Sequence, residues 1–274
     1  MKKIRNFSRQ SPILFGIGFT LLVILVHELF SSVCSLLPES LVSLYIEELT
    51  FIVWPTALVL LFGFGFIFRQ KGFGATIGAG LFRFLPSALW VIFQLFALCF
   101  TPGIEWKSDG EIILGVLMLV GVGFREEILF RGVITNAIAR KYADSTKGIW
   151  ITVLSSSALF GAMHMGNVFH GVTFQSALIQ SISAIGGGAF FCAVYLRGGS
   201  IWAAALLHSV YNATATVDWL FTNSSGDLSS TINGLGLQHA VLIVFDLLLV
   251  AFLLRKSKRQ RILDRMQQLN ESLG

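Results

Sequence analysis

The chain has 274 residues and a formal net charge of +5. Hydrophobic residues make up 54% of it and charged residues only 13%, and its mean hydropathy is +0.75. A soluble globular domain carries about 25% charged residues, and a soluble protein so poor in charge would expose large apolar patches and aggregate. The composition therefore excludes a soluble globular protein and favours an integral membrane protein.

Apolar stretches long enough to cross a bilayer recur along the whole chain. About 20 consecutive apolar residues cross the hydrocarbon core as a helix, and the first run is long enough to be a retained span rather than a cleaved signal peptide. We therefore predict an all-α polytopic membrane protein with about eight transmembrane helices. The predicted spans are 12–37, 47–68, 82–100, 112–139, 149–165, 173–195, 201–221 and 236–254.

The basic residues support this count, because Lys and Arg collect in cytoplasmic loops. If both termini are cytoplasmic, every basic residue except Lys107 falls in a predicted cytoplasmic segment, with Arg125 and Arg131 belonging to the fourth span itself. Six or seven spans would break the alternation. The short loops are typical of bacteria, so we predict a bacterial plasma-membrane protein with both termini in the cytoplasm. Contact with anionic lipids explains its positive charge, and no nucleic-acid partner is expected.

Charged residues interrupt the fourth predicted span between Phe124 and Gly132. An ionisable side chain near the middle of a membrane helix is costly and is by default a functional hypothesis. Glu127 and Arg131 are four residues apart, so they share a face and can pair, whereas Glu126 points about 100° away. One carboxylate would then be neutralised and the other free for chemistry. Alternatively, the span ends early and these charges form a solvated cytoplasmic turn.

Two later spans contain histidines. The fifth span ends in His164, and a lone histidine on an apolar helix is more often a satisfied core residue than a functional one. In the seventh span His208 and Asn212 are four residues apart, which places them on one face about 6 Å apart along the axis. They could line a cavity, or they could hydrogen-bond to a neighbouring helix.

Four further ionisable residues lie in or beside the predicted spans, and the three that lie within spans have no partner on the same face. We expect the histidine in the loop after span five to be solvated, and the other three to be packing or substrate-channel residues. In that order they are His170, and then His27, Glu28 and Asp246.

Together the three polar segments resemble the CPBP family of membrane proteases. This family includes CAAX proteases of the Rce1 (Ras-converting enzyme) type and the bacteriocin-processing or Abi proteins of bacteria. Its motifs are, in order, E-E-x-x-x-R, F-x-x-x-H and H-x-x-x-N (or D), and this chain carries them at 126–131, 160–164 and 208–212. The resemblance implies an eight-helix fold around an intramembrane cavity open to the cytoplasmic leaflet. It also implies an endopeptidase that cleaves a membrane-associated or lipidated protein.

No linker or repeat divides the chain. We expect residues 1–80 to form the first two spans, residues 81–254 to form the protease core with the motifs, and residues 255–274 to form a basic cytoplasmic tail.

The resemblance also implies a role for each motif residue. The catalytic residues would be Glu126, which activates the attacking water, together with His164, His208 and Asn212. The supporting residues would be Glu127, Arg131 and Phe160. A carboxylate in an apolar pocket is a suitable base, and polar donors on one helical face could stabilise an oxyanion. A second mechanism stays open, in which Glu126, His164 and His208 bind Zn²⁺ as a His₂Glu set; no other cofactor is expected.

Two other functions fit some of the same features. The chain could be a non-catalytic membrane scaffold or a bacteriocin self-immunity factor, although the complete motif set favours an enzyme. It could also be a small transporter that relays protons through Glu126 and the histidines, but that class predicts an inverted repeat and none is evident. The expected partners are membrane lipids and a membrane-associated peptide or protein substrate.

Overall fold

The computed structural model describes residues 2–38, 40–223 and 228–273. Regular structure in these residues is helical, apart from one isolated bridge between Trp106 and Thr222. The prediction of an all-α fold is therefore confirmed.

Thirteen α-helices follow one another in the described part of the chain. They are α1 (Lys2–Gln10), α2 (Pro12–Cys34), α3 (Leu41–Leu61), α4 (Phe73–Cys99), α5 (Asp109–Glu127), α6 (Asn136–Tyr142), α7 (Thr146–Met163), α8 (Phe174–Gly198), α9 (Ile201–Ala215), α10 (Val217–Phe221), α11 (Leu228–Asn233), α12 (Leu237–Leu253) and α13 (Lys256–Leu273). A π-helix, Ile128–Thr135, joins α5 to α6 without a break, and 3₁₀ turns occupy Gly65–Arg69 and His164–His170.

Short polar residues begin the helices that carry the three motifs. Ser108 accepts a hydrogen bond from the Glu111 backbone, and the Glu111 carboxylate accepts one from the Ser108 backbone. This reciprocal capping typically stabilises a helix by about 1 kcal/mol. Hydrogen bonds from Ser108 also hold the pKa of Glu111 below its usual range. Ser145 and Ser200 cap α7 and α9 through their side-chain oxygens alone, which accept from the backbone of Gly148 and Ala203.

Four helices are long and apolar enough to cross a membrane: Pro12–Cys34, Ser43–Leu61, Thr146–His170 and Phe174–Gly198. Helix α4 adds a fifth if its two halves, which meet at 56°, count as one span. The polytopic membrane class is confirmed, and the count of eight stays a prediction.

The remaining predicted spans correspond to helices that are too short, or too charged in their middle, to be recognised as membrane spans. Helix α5 and its continuation carry charged residues in their middle, and α9 and α12 contain only 15 and 17 residues. Helix α4 also begins at Phe73, nine residues before the start predicted from hydropathy.

One end of the helix bundle gathers the two chain termini, α6 and the link between α8 and α9. Arg265 of α13 donates to the carbonyls of Tyr195 (2.7 Å) and Leu196 (2.9 Å), and Lys141 donates to the carbonyl of Gln10. We call this the basic end, because its segments carry most of the basic residues of the chain. These include Lys3, Arg9, Arg69, Lys71, Arg140, Lys141, Lys147, Arg197, Arg255, Lys256, Lys258, Arg259, Arg261 and Arg265.

The opposite end of the bundle, which we call the rim end, joins the remaining connections. The backbone of Asn223, after α10, donates to the carbonyl of Glu105, before α5 (2.9 Å). His170, after α7, lies 2.9 Å from the carboxylate of Glu28 near the end of α2. Among the described residues that connect helices at this end, Lys107 is the one basic residue.

Candidate active site

The two adjacent glutamates lie at the end of α5, where the helix widens into the π-helix. Glu126 is 9% exposed and Glu127 is fully buried. The chain stays helical from Asp109 to Tyr142. The prediction of one continuous helix is confirmed, and the alternative of a solvated turn after an early helix end is wrong.

Glu127 is held by two partners on different helices. Its Oε1 lies 3.3 Å from Nη1 of Arg131, which confirms the predicted pair on one helical face. The same oxygen lies 2.8 Å from Nδ1 of His208 on α9, a contact that the sequence did not predict. Arg131 also donates to the carbonyl of Gly188 on α8 (3.1 Å). Glu127 therefore ties α5, α8 and α9 together in the middle of the bundle.

The π-helix that follows is stabilised by the side chain of Asn136. A π-helix moves backbone hydrogen bonds from i−4 to i−5. The Asn136 amide donates to the carbonyls of Arg131 and Gly132, each at 2.9 Å, and to the hydroxyl of Tyr195 at 2.8 Å. These contacts satisfy carbonyls next to the site and fix Arg131 in place.

His208 lies between the two glutamates. Its Nε2 is 3.4 Å from Oε2 of Glu126 while its Nδ1 contacts Glu127. The imidazole stacks on the ring of Phe191, with centroids 4.5 Å apart and planes 15° apart. An ionised carboxylate only accepts hydrogen bonds, so the Nδ1 atom that contacts Glu127 carries the hydrogen.

Phe160 and His164 form the next part of the site. Nδ1 of His164 lies 2.9 Å from the Phe160 carbonyl, which can only accept, so this nitrogen carries the hydrogen and Nε2 is left for a ligand. The Phe160 ring lies 4.4 Å from the Arg131 guanidinium and packs edge-on against both imidazoles. Phe160 thus contacts two of the predicted catalytic residues and one of the other predicted supporting residues.

A cavity of about 450 Å³ brings the four predicted catalytic residues together: Glu126, His164, His208 and Asn212. Glu127 and Arg131 do not line it. His164 and Asn212 are half-buried. Within the described residues, the side-chain amide of Asn212 makes no hydrogen bond, so it is available to a molecule in the cavity.

The other ionisable residues singled out from the sequence fall into two groups. His27 and Glu28 line the cavity, as does His170, whose pairing with Glu28 contradicts the expectation that it is merely solvated. Asp246 does not line the cavity and forms a buried ion pair with Arg83 of α4 at 2.6 Å. A partner on another helix cannot be found by inspecting one helical face.

Three residues of the site were missed. Arg125 lines the cavity beside Glu126. Gly123 lets α5 approach α9 so closely that a Cβ atom there would lie 2.7 Å from the backbone nitrogen of Ser209. A glycine within an apolar span was a usable signal for Gly123. No feature of the sequence distinguishes Phe191 from the other phenylalanines, of which the chain contains 25 in all.

The expected zinc set does not fit the donor positions. Among the described residues, no group of three or more His, Cys, Asp or Glu side chains is arranged so that it could hold a metal ion. The chemistry of the site is therefore assigned to its protein side chains alone.

A buried carboxylate that faces an imidazole in a cavity among membrane-spanning helices defines a candidate intramembrane hydrolase. Residues 108–214 match the family model described as type II CAAX prenyl endopeptidase Rce1-like, and all three motifs lie inside this segment. Within this segment the chain is similar to CAAX-type intramembrane proteases, as the motifs had indicated. Comparison with curated proteins and with solved structures found no match. The match lies within the expected core of 81–254, whose limits stay a prediction.

Proposed function

We propose that the chain is an intramembrane endopeptidase that hydrolyses a peptide bond of a membrane-associated protein with a water molecule activated by Glu126. The observation that supports this proposal most strongly is the position of Glu126. It is the one of the two adjacent glutamates that faces the cavity, and it does so opposite His208.

The two glutamates differ in what can reach them. Glu127 is fully buried, and one of its oxygens already contacts Arg131 and His208. Water in the cavity can reach Glu126 but not Glu127. Glu126 is therefore the base and Glu127 a positioning residue.

In the proposed reaction, Glu126 both takes up the proton of the water and returns it to the leaving group. As the water oxygen forms a bond to the carbonyl carbon, its proton moves to Glu126 and the carbonyl electron pair moves to the oxygen. When the tetrahedral intermediate collapses, the C–N bond breaks and Glu126 passes the proton to the leaving nitrogen. Once Glu126 has taken up the proton, its hydroxyl can donate to Nε2 of His208, which is fixed through Nδ1 by Glu127.

Asn212 is the proposed donor to the oxyanion. In the neutral form, an imidazole whose Nδ1 carries the hydrogen presents Nε2 as an acceptor, and this applies to both His164 and His208. Among the four predicted catalytic residues, the Asn212 amide then remains as the neutral donor. This assignment narrows the expectation from the sequence, in which His208 was also a donor.

Comparing the membrane proteomes of cells that express three versions of the chain tests the proposal. Terminal peptides created by cleavage should appear with the wild type and be lost with Glu126→Gln at equal protein levels. Glu47→Gln is the matched control, because Glu47 also lies on a predicted span, is half-buried and does not line the cavity. Cleavage retained by Glu126→Gln would overturn the mechanism.

The scaffold or self-immunity alternative makes a different prediction in the same experiment. It expects the cellular phenotype to persist in Glu126→Gln, with no cleavage products from the wild type. The family match favours the protease.

A further inference from the structure

The floor of the cavity lies in the middle of the bundle. Four buried residues form it, each no more than 9% exposed: Glu126, Phe130, Phe191 and His208. They come from α5, the π-helix, α8 and α9. A substrate can therefore approach them only along the bundle from one end, or from the side.

The basic end is closed beneath this floor. Ile134, Ile138, Tyr195 and Ile201 are all fully buried. The first three lie farther along their helices toward the basic end than the floor residue of the same helix, and Ile201 begins α9 at that end. Packed side chains fill this half, and none of the four lines the cavity.

The remaining wall of the cavity extends to the rim end. Asn167 and His170 follow α7, Thr216 follows α9 and Ile232 belongs to α11, and all four line the cavity. The side chains of His170 and Glu28 are each 43% exposed. The mouth therefore lies at the rim end, opposite both termini.

The charge of the two ends differs strongly. The basic end carries at least fourteen of the 20 basic residues, as named above. The described segments of the rim end carry Lys107 together with the acidic residues Glu105, Asp109 and Glu111. Lys and Arg in short loops set the orientation of membrane proteins, with the basic side in the cytoplasm. This distribution assigns the basic end to the cytoplasm.

We infer that the cavity opens on the extracytoplasmic side of the membrane, and that its substrate is a polypeptide segment presented from that side. This inference names the substrate class of the proposed protease, and so its substrate part depends on the proposed function. It departs from the cytoplasmic opening that the family resemblance implied. Substrates would be translocated peptides or the outer segments of membrane-anchored proteins, not lipidated C-termini in the cytosol.

The chemistry of the mouth fits a peptide backbone. Nδ2 of Asn167 donates to Oε1 of Gln180 at 2.7 Å, and both line the cavity. Amide side chains both donate and accept hydrogen bonds, as an extended peptide requires. Asn212 lies deeper in the cavity, so amide side chains line it between the rim end and Glu126.

Labelling of single cysteines tests the orientation without any need for activity. The native Cys34, Cys99 and Cys192 are replaced by Ser, and His170→Cys or Lys258→Cys is added. A membrane-impermeant maleimide should label His170→Cys in intact bacterial cells and Lys258→Cys only after the cells are lysed. The reverse pattern would overturn the inference.

The positions of cleavage sites test the substrate class. Sites lost in Glu126→Gln should map to extracytoplasmic segments of their substrates, and sites in cytoplasmic segments would refute the inference while leaving the proposed protease intact. If no cleavage depends on Glu126, the proposed function fails, and with it the substrate class. The labelling result still decides on which side the cavity opens.

Discussion

The imidazole of His208 contacts both adjacent glutamates, with Nδ1 2.8 Å from Glu127 and Nε2 3.4 Å from Glu126. Because Glu127 also contacts Arg131, a chain of polar contacts leads from the buried guanidinium to the cavity. The two glutamates are neighbours in sequence and occupy opposite ends of this chain. Substitutions of Glu127 and of residues that face the cavity should therefore have different effects.

Glu127→Gln should mainly lower stability. Removing one partner of a buried ion pair leaves an uncompensated charge and lowers the free energy of unfolding by about 3–5 kcal/mol. In Glu127→Gln the uncompensated charge is that of Arg131. Thermal unfolding of the purified protein in detergent should show a lower midpoint than in the wild type or in Glu47→Gln. The double variant Glu127→Gln/Arg131→Met should recover part of the loss, and unchanged unfolding of Glu127→Gln would show that the pair is not structural.

Gly123→Ala should impair cleavage although position 123 does not line the cavity. The new methyl group would lie 2.7 Å from the Ser209 backbone nitrogen and would push α5 away from α9. A shift of about 1 Å between catalytic groups can lower a rate about 10²-fold. Gly121→Ala on the same helix is the control, since its nearest neighbour would be 3.5 Å away. Equal kcat/KM for the two variants would contradict this account of the α5–α9 contact.

Asn212→Ala should lower kcat about 10²–10³-fold, as loss of one oxyanion donor does, and should change KM little. Thr214→Ala on the same helix should behave like the wild type, because its hydroxyl contacts the Tyr211 carbonyl and does not line the cavity. Steady-state kinetics with a cleaved peptide identified in the proteome comparison would measure both. An effect confined to KM would assign Asn212 to substrate binding instead.

Metal chelators should leave proteolysis unchanged. The proposed reaction uses Glu126 and Asn212, and the described residues hold no group of three or more His, Cys, Asp or Glu side chains that could bind a metal ion. Purified protein dialysed against EDTA or 1,10-phenanthroline should retain full activity. Activity that is lost on dialysis and restored by Zn²⁺ would instead support the His₂Glu mechanism.

Much of the site could be predicted because it depends on local spacing. Positions 127 and 131 share a face in any helix, and their pairing was confirmed. Burial of Glu126 followed from an apolar pattern that continues on both sides of it. The family resemblance, carried by three short motifs, indicated that the segments meet, and they line one cavity.

The rest depends on contacts between distant segments, which spacing within one helix cannot reveal. Phe191 stacks on His208, and Arg83 pairs with Asp246 across 163 residues. The direction of the cavity also depends on how helices pack, since Glu126 lies midway along its helix. The early start of α4 falls in a segment rich in glycine, at positions 74, 78 and 80, which hydropathy did not indicate as part of a span.

The π-helix at Ile128–Thr135 makes the length of this segment as important as its composition. Its wider turns accommodate an additional residue compared with an α-helix. Deleting that additional residue would restore ordinary winding, and α6 could keep its place in the bundle. The Asn136 amide would lose carbonyls that it now satisfies, because their spacing from position 136 would change. Among length changes in this segment, a single deletion should therefore be tolerated best.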